Sequence, residues 1–168
     1  MKKIVKFLLN SCFLSLGLFF VLLVTILFLG YKPYIVKSGS MEPCIETGSL
    51  AILNTNYKYE DLKIGDIIAY NASIEEDVSV THRIIGMDNG LIETKGDNNE
   101  VSDGFCVSEN NYIGLTKYTI PKVGYIFSWM QTKRGMIIFV TIMALLILLD
   151  ILVTSSNKKQ KVVKNNEN

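Results

Sequence analysis

A chain of 168 residues is the size of one domain, and its two long apolar runs leave about 100 residues for a folded part, enough for one compact core. A formal charge of +1 excludes a basic field over the whole chain, so no nucleic-acid partner is expected. Three cysteines exclude a disulfide scaffold and a conventional structural zinc site, and neither a metal nor a cofactor is expected.

Lys2, Lys3 and Lys6 make a basic start over residues 1–6. Residues 7–29 are then almost wholly apolar. As a helix they would run about 35 Å, enough to cross a hydrocarbon core of about 30 Å with some tilt. A cleaved secretory signal is the rival reading, favoured by the basic start. The run is longer than a signal's apolar region, and no small-x-small site follows before Tyr31-Lys32-Pro33-Tyr34, so an uncleaved anchor is expected. Leu9-Asn10-Ser11-Cys12 resembles a lipoprotein cleavage site, but the apolar stretch before it is too short. Cys12 reads as a small apolar filler. Tyr31 and Tyr34 suit the membrane interface, and Pro33 is expected to end the helix. Ile35-Val36-Lys37 leads on as an extended segment.

The next six residues are Ser38-Gly39-Ser40-Met41-Glu42-Pro43. Ser40 stands between a glycine and a methionine expected to be exposed, so its hydroxyl can be held clear of the backbone. Pro43 keeps a helix from forming around it. Ser-Gly-Ser alone is a weak signal, since most such tripeptides are linkers or turns.

From residue 49 to residue 125 the pattern is that of strands. Ser49-Leu50-Ala51-Ile52-Leu53 and the run from Ile64 to Tyr70 are short and apolar. Residues 78–87 and 91–95 flank Asp88-Asn89-Gly90, a strong hairpin signal because Asn-Gly tolerates positive φ. Tyr112-Ile113-Gly114-Leu115 and Lys122-Val123-Gly124-Tyr125-Ile126 close the set. No sustained helical period appears in this part.

The second apolar run covers residues 135–153, with Asp150 near its inner end, where a carboxylate can reach water. A helix lying on the membrane face is the alternative to a second span. Tyr125, Phe127, Trp129, Lys133 and Arg134 sit just outside it, and residues 157–168 are polar, basic and expected to be disordered. Lysines at both ends put both termini in the cytoplasm by the positive-inside rule. The fold expected is mostly β: a small antiparallel β-sheet domain over residues 30–134, outside the cell membrane. Transmembrane helices over residues 7–29 and 135–153 flank it, with basic cytoplasmic segments over residues 1–6 and 154–168.

A serine hydroxyl is a poor nucleophile until a base takes its proton, and histidine, with an ordinary pKa of about 6.5, suits that task. His82 is the chain's one histidine. Taken alone, a histidine beside Arg83 on a strand is more simply a half-exposed polar residue. A histidine base needs a carboxylate to fix its tautomer, and Asp97 and Asp103 both follow it. The residues alone do not separate the two, and beside Gly96 the first also reads as a turn residue. The backbone N–H of Ser40 is one oxyanion donor by geometry. Glu42 brings a charge beside the site without an assigned role. Gly65-Asp66 reads as a turn into a core strand.

Four motifs stand in order: Ser38 to Pro43, Gly65-Asp66-Ile67-Ile68, Thr81-His82-Arg83-Ile84 and Lys95-Gly96-Asp97-Asn98-Asn99. Through them the chain resembles a type I signal peptidase of the endoplasmic-reticulum-like branch, which archaea and some Gram-positive bacteria share. The resemblance covers roughly residues 15–130. It implies a coiled β-sheet core next to the membrane, with Ser40 as nucleophile. His82 stands where the commoner bacterial enzymes carry a lysine. Asp103 is implied as the third triad member, Asp97 as a structural neighbour, and the Ser38 hydroxyl as the second oxyanion donor. The activity implied is that of a membrane-bound serine endopeptidase removing signal peptides from exported pre-proteins at small-x-small sites on the outer membrane face. Pre-proteins and the lipid bilayer are its implied partners, and an accessory subunit is left open.

Two rivals remain. One is a two-span membrane protein whose β domain binds a partner without catalysis. The other is a self-cleaving regulator with a related core, which the two apolar runs disfavour. Cys44 and Cys106 raise a separate question. If Ser40 and Asp103 flank one imidazole, within about 10 Å of each other, the two thiols could be neighbours. A bridge would close a loop of about sixty residues. The alternative is two separate thiols pointing apart.

Overall fold

The structure is a computed structural model that describes the backbone of residues 2–73 and 78–166 and the side chains of residues 4–72 and 79–155. The chain divides into two compact units. One comprises residues Met1–Thr25 and Met130–Asn168, the other Ile26–Trp129.

The first unit is helical. Helix α1 spans Lys2–Phe28 and the last helix, α3, spans Lys133–Asn166. Their apolar segments, Ile4–Phe28 and Lys133–Ser155, have mean hydropathies of 2.6 and 3.0 and are long enough to cross a membrane. Both are apolar around the whole helix with most of their side chains uncovered, a surface that suits lipid better than water. Two hydroxyls inside them bond back to their own helix, Thr25 to the Val21 carbonyl and Thr141 to that of Ile137, which satisfies those donors without water. Lys6 Nζ donates to Thr154 Oγ1 at 3.0 Å, a polar contact between the two helices.

Two expectations change here. The segment expected to be disordered is helical to Asn166, because adding a residue to a formed helix costs far less than nucleating one. Its side chains lie outside the described residues, as do those of Lys2 and Lys3 and all of residues 167 and 168. Helix α1 also ends before Pro33. Gly30, at φ 83°, donates its N–H to the Leu27 carbonyl at 3.0 Å and turns the chain out of the helix. Pro33 instead sits in the first strand, at the sheet edge where its missing N–H is not needed.

The second unit is one antiparallel sheet. Its strands are β1 (Tyr31–Ile35), β2 (Leu50–Asn54), β3 (Ile67–Ser73), β4 (Val78–Asp88), β5 (Leu91–Lys95), β6 (Cys106–Val107) and β7 (Tyr112–Ile120). They lie in the order β1-β2-β7-β3-β4-β5-β6. The β4–β5 hairpin turns at Asn89 and Gly90, with φ of 49° and 76°, the two positive values that a tight two-residue turn needs. The run at 122–126, expected as a strand, is helical. Helix α2 spans Val123–Met130 and packs Gly124 where a Cβ would lie 2.7 Å from the carbonyls of Gly48 and Ser49. The run is apolar and partly β-branched, so it reads as a strand, and tertiary packing overrides that preference.

Side-chain alternation gives the sheet two faces. Ile68 and Tyr70 of β3, Ile84 of β4, Ile92 of β5 and Val107 of β6 meet Leu62 and Leu115 in the main core. Ala69, on the other face, joins Ala51 and Leu53 in a smaller one. Each fully buried Leu, Ile or Val of this set stabilises the sheet by about 1.5–3 kcal/mol. The register puts Ile68 opposite His82 and Thr94 opposite Ile84, so His82 and Thr94 are carried on the main core face.

Candidate functional site

The loop between β1 and β2 carries Ser38 and Ser40. Its base is closed by Val36 N–H to the Ser49 carbonyl at 2.9 Å and Gly48 N–H to the Val36 carbonyl at 2.8 Å. Met41, expected to be exposed, is 1% exposed, and Ile45, four residues on, is buried as well. Those two side chains take the loop's apolar surface inward, which leaves the serines at the rim. Glu42 reaches across the loop, accepting from Thr47 Oγ1 at 2.8 Å and Thr47 N–H at 3.2 Å. The Thr47 hydroxyl and N–H hold the Glu42 carboxyl below the usual carboxylate range. Its role is to brace the loop.

The segment after β5 lies against this loop. Gly96 has its Cα so close that a Cβ would stand 2.6 Å from the Ser40 carbonyl oxygen. Asn98 donates its backbone N–H to that same carbonyl at 2.8 Å and its amide to the Gly39 carbonyl at 3.2 Å. The Gly-Asp-Asn run is thus a clamp on the backbone around Ser40.

His82 is buried at the edge of the main core. Its Nε2 lies 3.0 Å from Ser40 Oγ, and its Nδ1 lies 2.8 and 2.7 Å from Oδ1 and Oδ2 of Asp103. Asp103 reaches that position because its N–H bonds the Thr94 carbonyl at 3.0 Å, which pins the loop after β5 over the strand. Its Oδ2 also accepts from Tyr70 OH at 2.8 Å and Thr94 Oγ1 at 2.6 Å. Burial would raise the Asp103 carboxyl, but bonds from Thr94, His82 and Tyr70 outweigh it and hold the group below its ordinary value. Burial pushes the Tyr70 phenol well up, and the Asp103 carboxylate adds to that. Ser38 Oγ stands 3.3 Å from Ser40 Oγ.

Asp97 is placed elsewhere. It accepts from Arg83 through both oxygens, Nε to Oδ1 at 2.8 Å and Nη2 to Oδ2 at 2.6 Å. That pairing lowers the Asp97 carboxyl and raises the Arg83 guanidinium. Arg83 also donates to the Gly65 carbonyl at 2.9 Å and to Cys44 Sγ at 3.4 Å. One side chain therefore ties the Gly65-Asp66 turn, the serine loop and the Gly-Asp-Asn clamp together. All three cysteines are free thiols. No bridge joins Cys44 and Cys106, because Cys44 lies on Arg83 while Cys106 is an exposed position of β6, whose next residue, Val107, faces the core. Among the described residues no group of three or more His, Cys, Asp or Glu converges to hold a metal.

The serines open on a cleft of about 510 Å³ whose lining includes Tyr34, Val36, Lys37, Val80 and Thr81. Two strand edges border it. β1 is the edge of the sheet, and β5 pairs with β4 only from Arg83 onward. Residues 79–82 thus have β3 on one side only.

Sequence reasoning did not find Arg83, Tyr70, Thr94 or Asn98. Arg83 carried a signal, since alternation turns it away from His82 and an aspartate needing a partner follows downstream. Tyr70 and Thr94 carried one only through the register.

A hydroxyl, an imidazole and a carboxylate in line, buried at one end and open on a cleft at the other, have the form used by serine hydrolases. Comparison with known proteins narrows this class. The model of the family "Signal peptidase, peptidase S26" matches residues 9–122, and the chain belongs to that family. Relatives include Signal peptidase I W of Bacillus subtilis (strain 168), 40% identical over 86 residues, which cover 49% of this chain and 44% of that protein. The signal peptidase complex catalytic subunit SEC11C of Homo sapiens is 35% identical over 104 residues, covering 55% of this chain and 53% of the other. SEC11 of Scheffersomyces stipitis is 33% identical over 104 residues, covering 55% and 61%. The match thus spans about half the length of these relatives.

Proposed function

We propose that the chain is a membrane-bound serine endopeptidase that removes signal peptides from exported pre-proteins at small-x-small sites. The observation that carries this reading is the unbroken hydrogen-bonded line from Ser40 Oγ through His82 to Asp103, opening on the cleft. In the first step Ser40 Oγ attacks the scissile carbonyl carbon while His82 Nε2 takes its proton. Asp103 stabilises the imidazolium so formed. The carbonyl oxygen becomes an oxyanion, for which the Ser40 N–H and the Ser38 hydroxyl, whose Oγ is 3.3 Å from Ser40 Oγ, would be the donors. The imidazolium then hands its proton to the leaving amine, and water repeats the sequence on the acyl-enzyme. An extended substrate would add as a strand between β1 and the open part of β4, with shallow pockets suiting small side chains.

The two apolar helices fit a two-span protein of the cell membrane, with both termini cytoplasmic and residues 30–134 outside. Anchoring enzyme and substrate in one bilayer raises their effective concentration. The test is to purify the full chain in detergent, incubate it with a panel of pre-proteins and sequence the new N-termini. Wild type should release mature chains after small residues, and Ser40→Ala should insert and fold yet release none. Cleavage by Ser40→Ala at the wild-type rate refutes the reading.

A further inference from the structure

Two buried hydroxyls converge on the far side of the carboxylate, and neither takes part in the reaction proposed above. Tyr70 of β3 and Thr94 of β5 are both 0% exposed. They sit on the strands that flank β4, on the face that carries His82. A hydroxyl sealed from water must donate to something or lose the full cost of desolvation. Tyr70 donates to Asp103 Oδ2 at 2.8 Å, and for Thr94 the acceptors at hand are Asp103 Oδ2 at 2.6 Å and, farther off, the Tyr70 hydroxyl oxygen at 3.1 Å.

The donors gathered on one oxygen favour the ionised carboxylate. Three donors point at Asp103: the Tyr70 hydroxyl, the Thr94 hydroxyl and one imidazole nitrogen of His82. A proton on Oδ2 would face the two sealed hydroxyls and take a lone pair they need, and a proton on Oδ1 would leave Oδ2 a weaker acceptor for both of them. Ionised, the carboxylate satisfies all three. Its rotation is fixed as well, because turning it would pull Oδ2 away from two strands at once. With the carboxylate an acceptor only, the imidazole must carry its proton on Nδ1, and Nε2 keeps the lone pair that faces Ser40 Oγ at 3.0 Å.

We propose that Tyr70 and Thr94 are positioning residues of the site: by saturating Asp103 Oδ2 they lock the carboxylate in place and, through it, select the base-competent tautomer of His82. The inference rests on the triad reading of the previous subsection. It adds that the sheet itself, through β3 and β5, sets the protonation geometry of the base.

The chain contains one histidine, so a sample labelled with ¹⁵N only in histidine reports this imidazole alone. We would record the ring nitrogens of the full chain in detergent, at a pH where the ring is neutral. The variants are Tyr70→Phe, Thr94→Val, the two together, and Thr94→Ser as the conservative rescue. Turnover would be followed in parallel on an internally quenched peptide with an Ala-x-Ala site. Wild type and Thr94→Ser should show the Nδ1–H tautomer. The double variant should show a mixture of tautomers and a faster-exchanging Nδ1 proton, with kcat down about tenfold or more and KM little changed. A double variant that folds and keeps a single Nδ1–H tautomer overturns the inference, since a merely structural pair would lower stability without touching the ring. If the double variant fails to fold, Thr94→Val against Thr94→Ser decides on the same signal. Failure of the peptidase reading appears separately, as cleavage that survives Ser40→Ala whatever the tautomer does.

Discussion

Asp97→Asn separates the two carboxylates by what each is for. The substitution keeps the side chain's size and one acceptor oxygen but removes the charge that meets Arg83 through two bonds of 2.8 and 2.6 Å. Bonds to charged groups contribute about 1.5–3 kcal/mol where solvent is excluded. Here the side chains are 32% and 18% exposed, so screening brings the expected loss to about 1–2 kcal/mol. For a domain of this size that lowers the melting temperature by about 4–8 °C per kcal/mol.

The pH dependence has a definite sign. The Arg83 guanidinium lowers the folded-state pKa of Asp97, so its contribution is full above the ordinary carboxylate value of about 3.9 and is lost as pH falls through the lower folded value. Thermal unfolding of both proteins in detergent, followed by circular dichroism, should show a constant gap from neutrality to about pH 5 that closes at lower pH. Asp103 titrates in both proteins and cancels from the difference. Turnover of Asp97→Asn at a temperature where it stays folded should remain near wild type. A gap that persists unchanged into strong acid refutes the ion-pair account, and a loss of turnover without a loss of stability would show that the carboxylate roles are reversed.

Asp103→Asn should leave the fold intact and lower turnover by several orders of magnitude, read as kcat on the quenched peptide, because it removes the charge that favours the imidazolium. Gly96→Ala should destabilise by about 1–3 kcal/mol and slow turnover, since its Cβ would stand 2.6 Å from a backbone oxygen that has to shift with Ser40 attached; wild-type melting and turnover would refute the clamp. Cys44 and Cys106 should both take an alkylating label in the unreduced protein, and mass spectrometry that finds either one protected contradicts the free thiols described above.

The parts of the fold that follow from local chemistry were legible. Asn89-Gly90 announces its hairpin because few other pairs tolerate two positive φ values, and the turn sets the register of β4 on β5 as far as Gly86, beyond which a bulge shifts it to put Ile84 opposite Thr94. The two apolar helices are legible from length alone. Helix α2 was not, because eight residues are too few to show a helical period. What makes it a helix is the close fit of Gly124 against the carbonyls of Gly48 and Ser49, which are remote in sequence. Met41 misled for a similar reason. A methionine in a Gly-Ser-Met-Glu-Pro loop looks like surface, and only the folded loop shows that it is the anchor.

The candidate site was legible where strand parity is enough and illegible where pairing is needed. Thr81-His82-Arg83-Ile84 read with a period of two puts His82 on the face of Ile84, the core face, and Arg83 on the other. A histidine at a core position is already a departure from the pattern. Leu91-Ile92-Glu93-Thr94 shows a second one, with Thr94 on the buried side next to Ile92. Neither departure explains itself alone. Only the register, with Ile68 on His82 and Ile84 on Thr94, shows that Tyr70, His82 and Thr94 sit diagonally on three adjacent strands around one carboxylate. Each polar side chain there takes a place that an aliphatic one would fill at less cost, and each finds its bond in Asp103. A chain selected only for stability would not put three such groups on one core face, so the breaks in the apolar pattern are where the sequence bears on function rather than on fold.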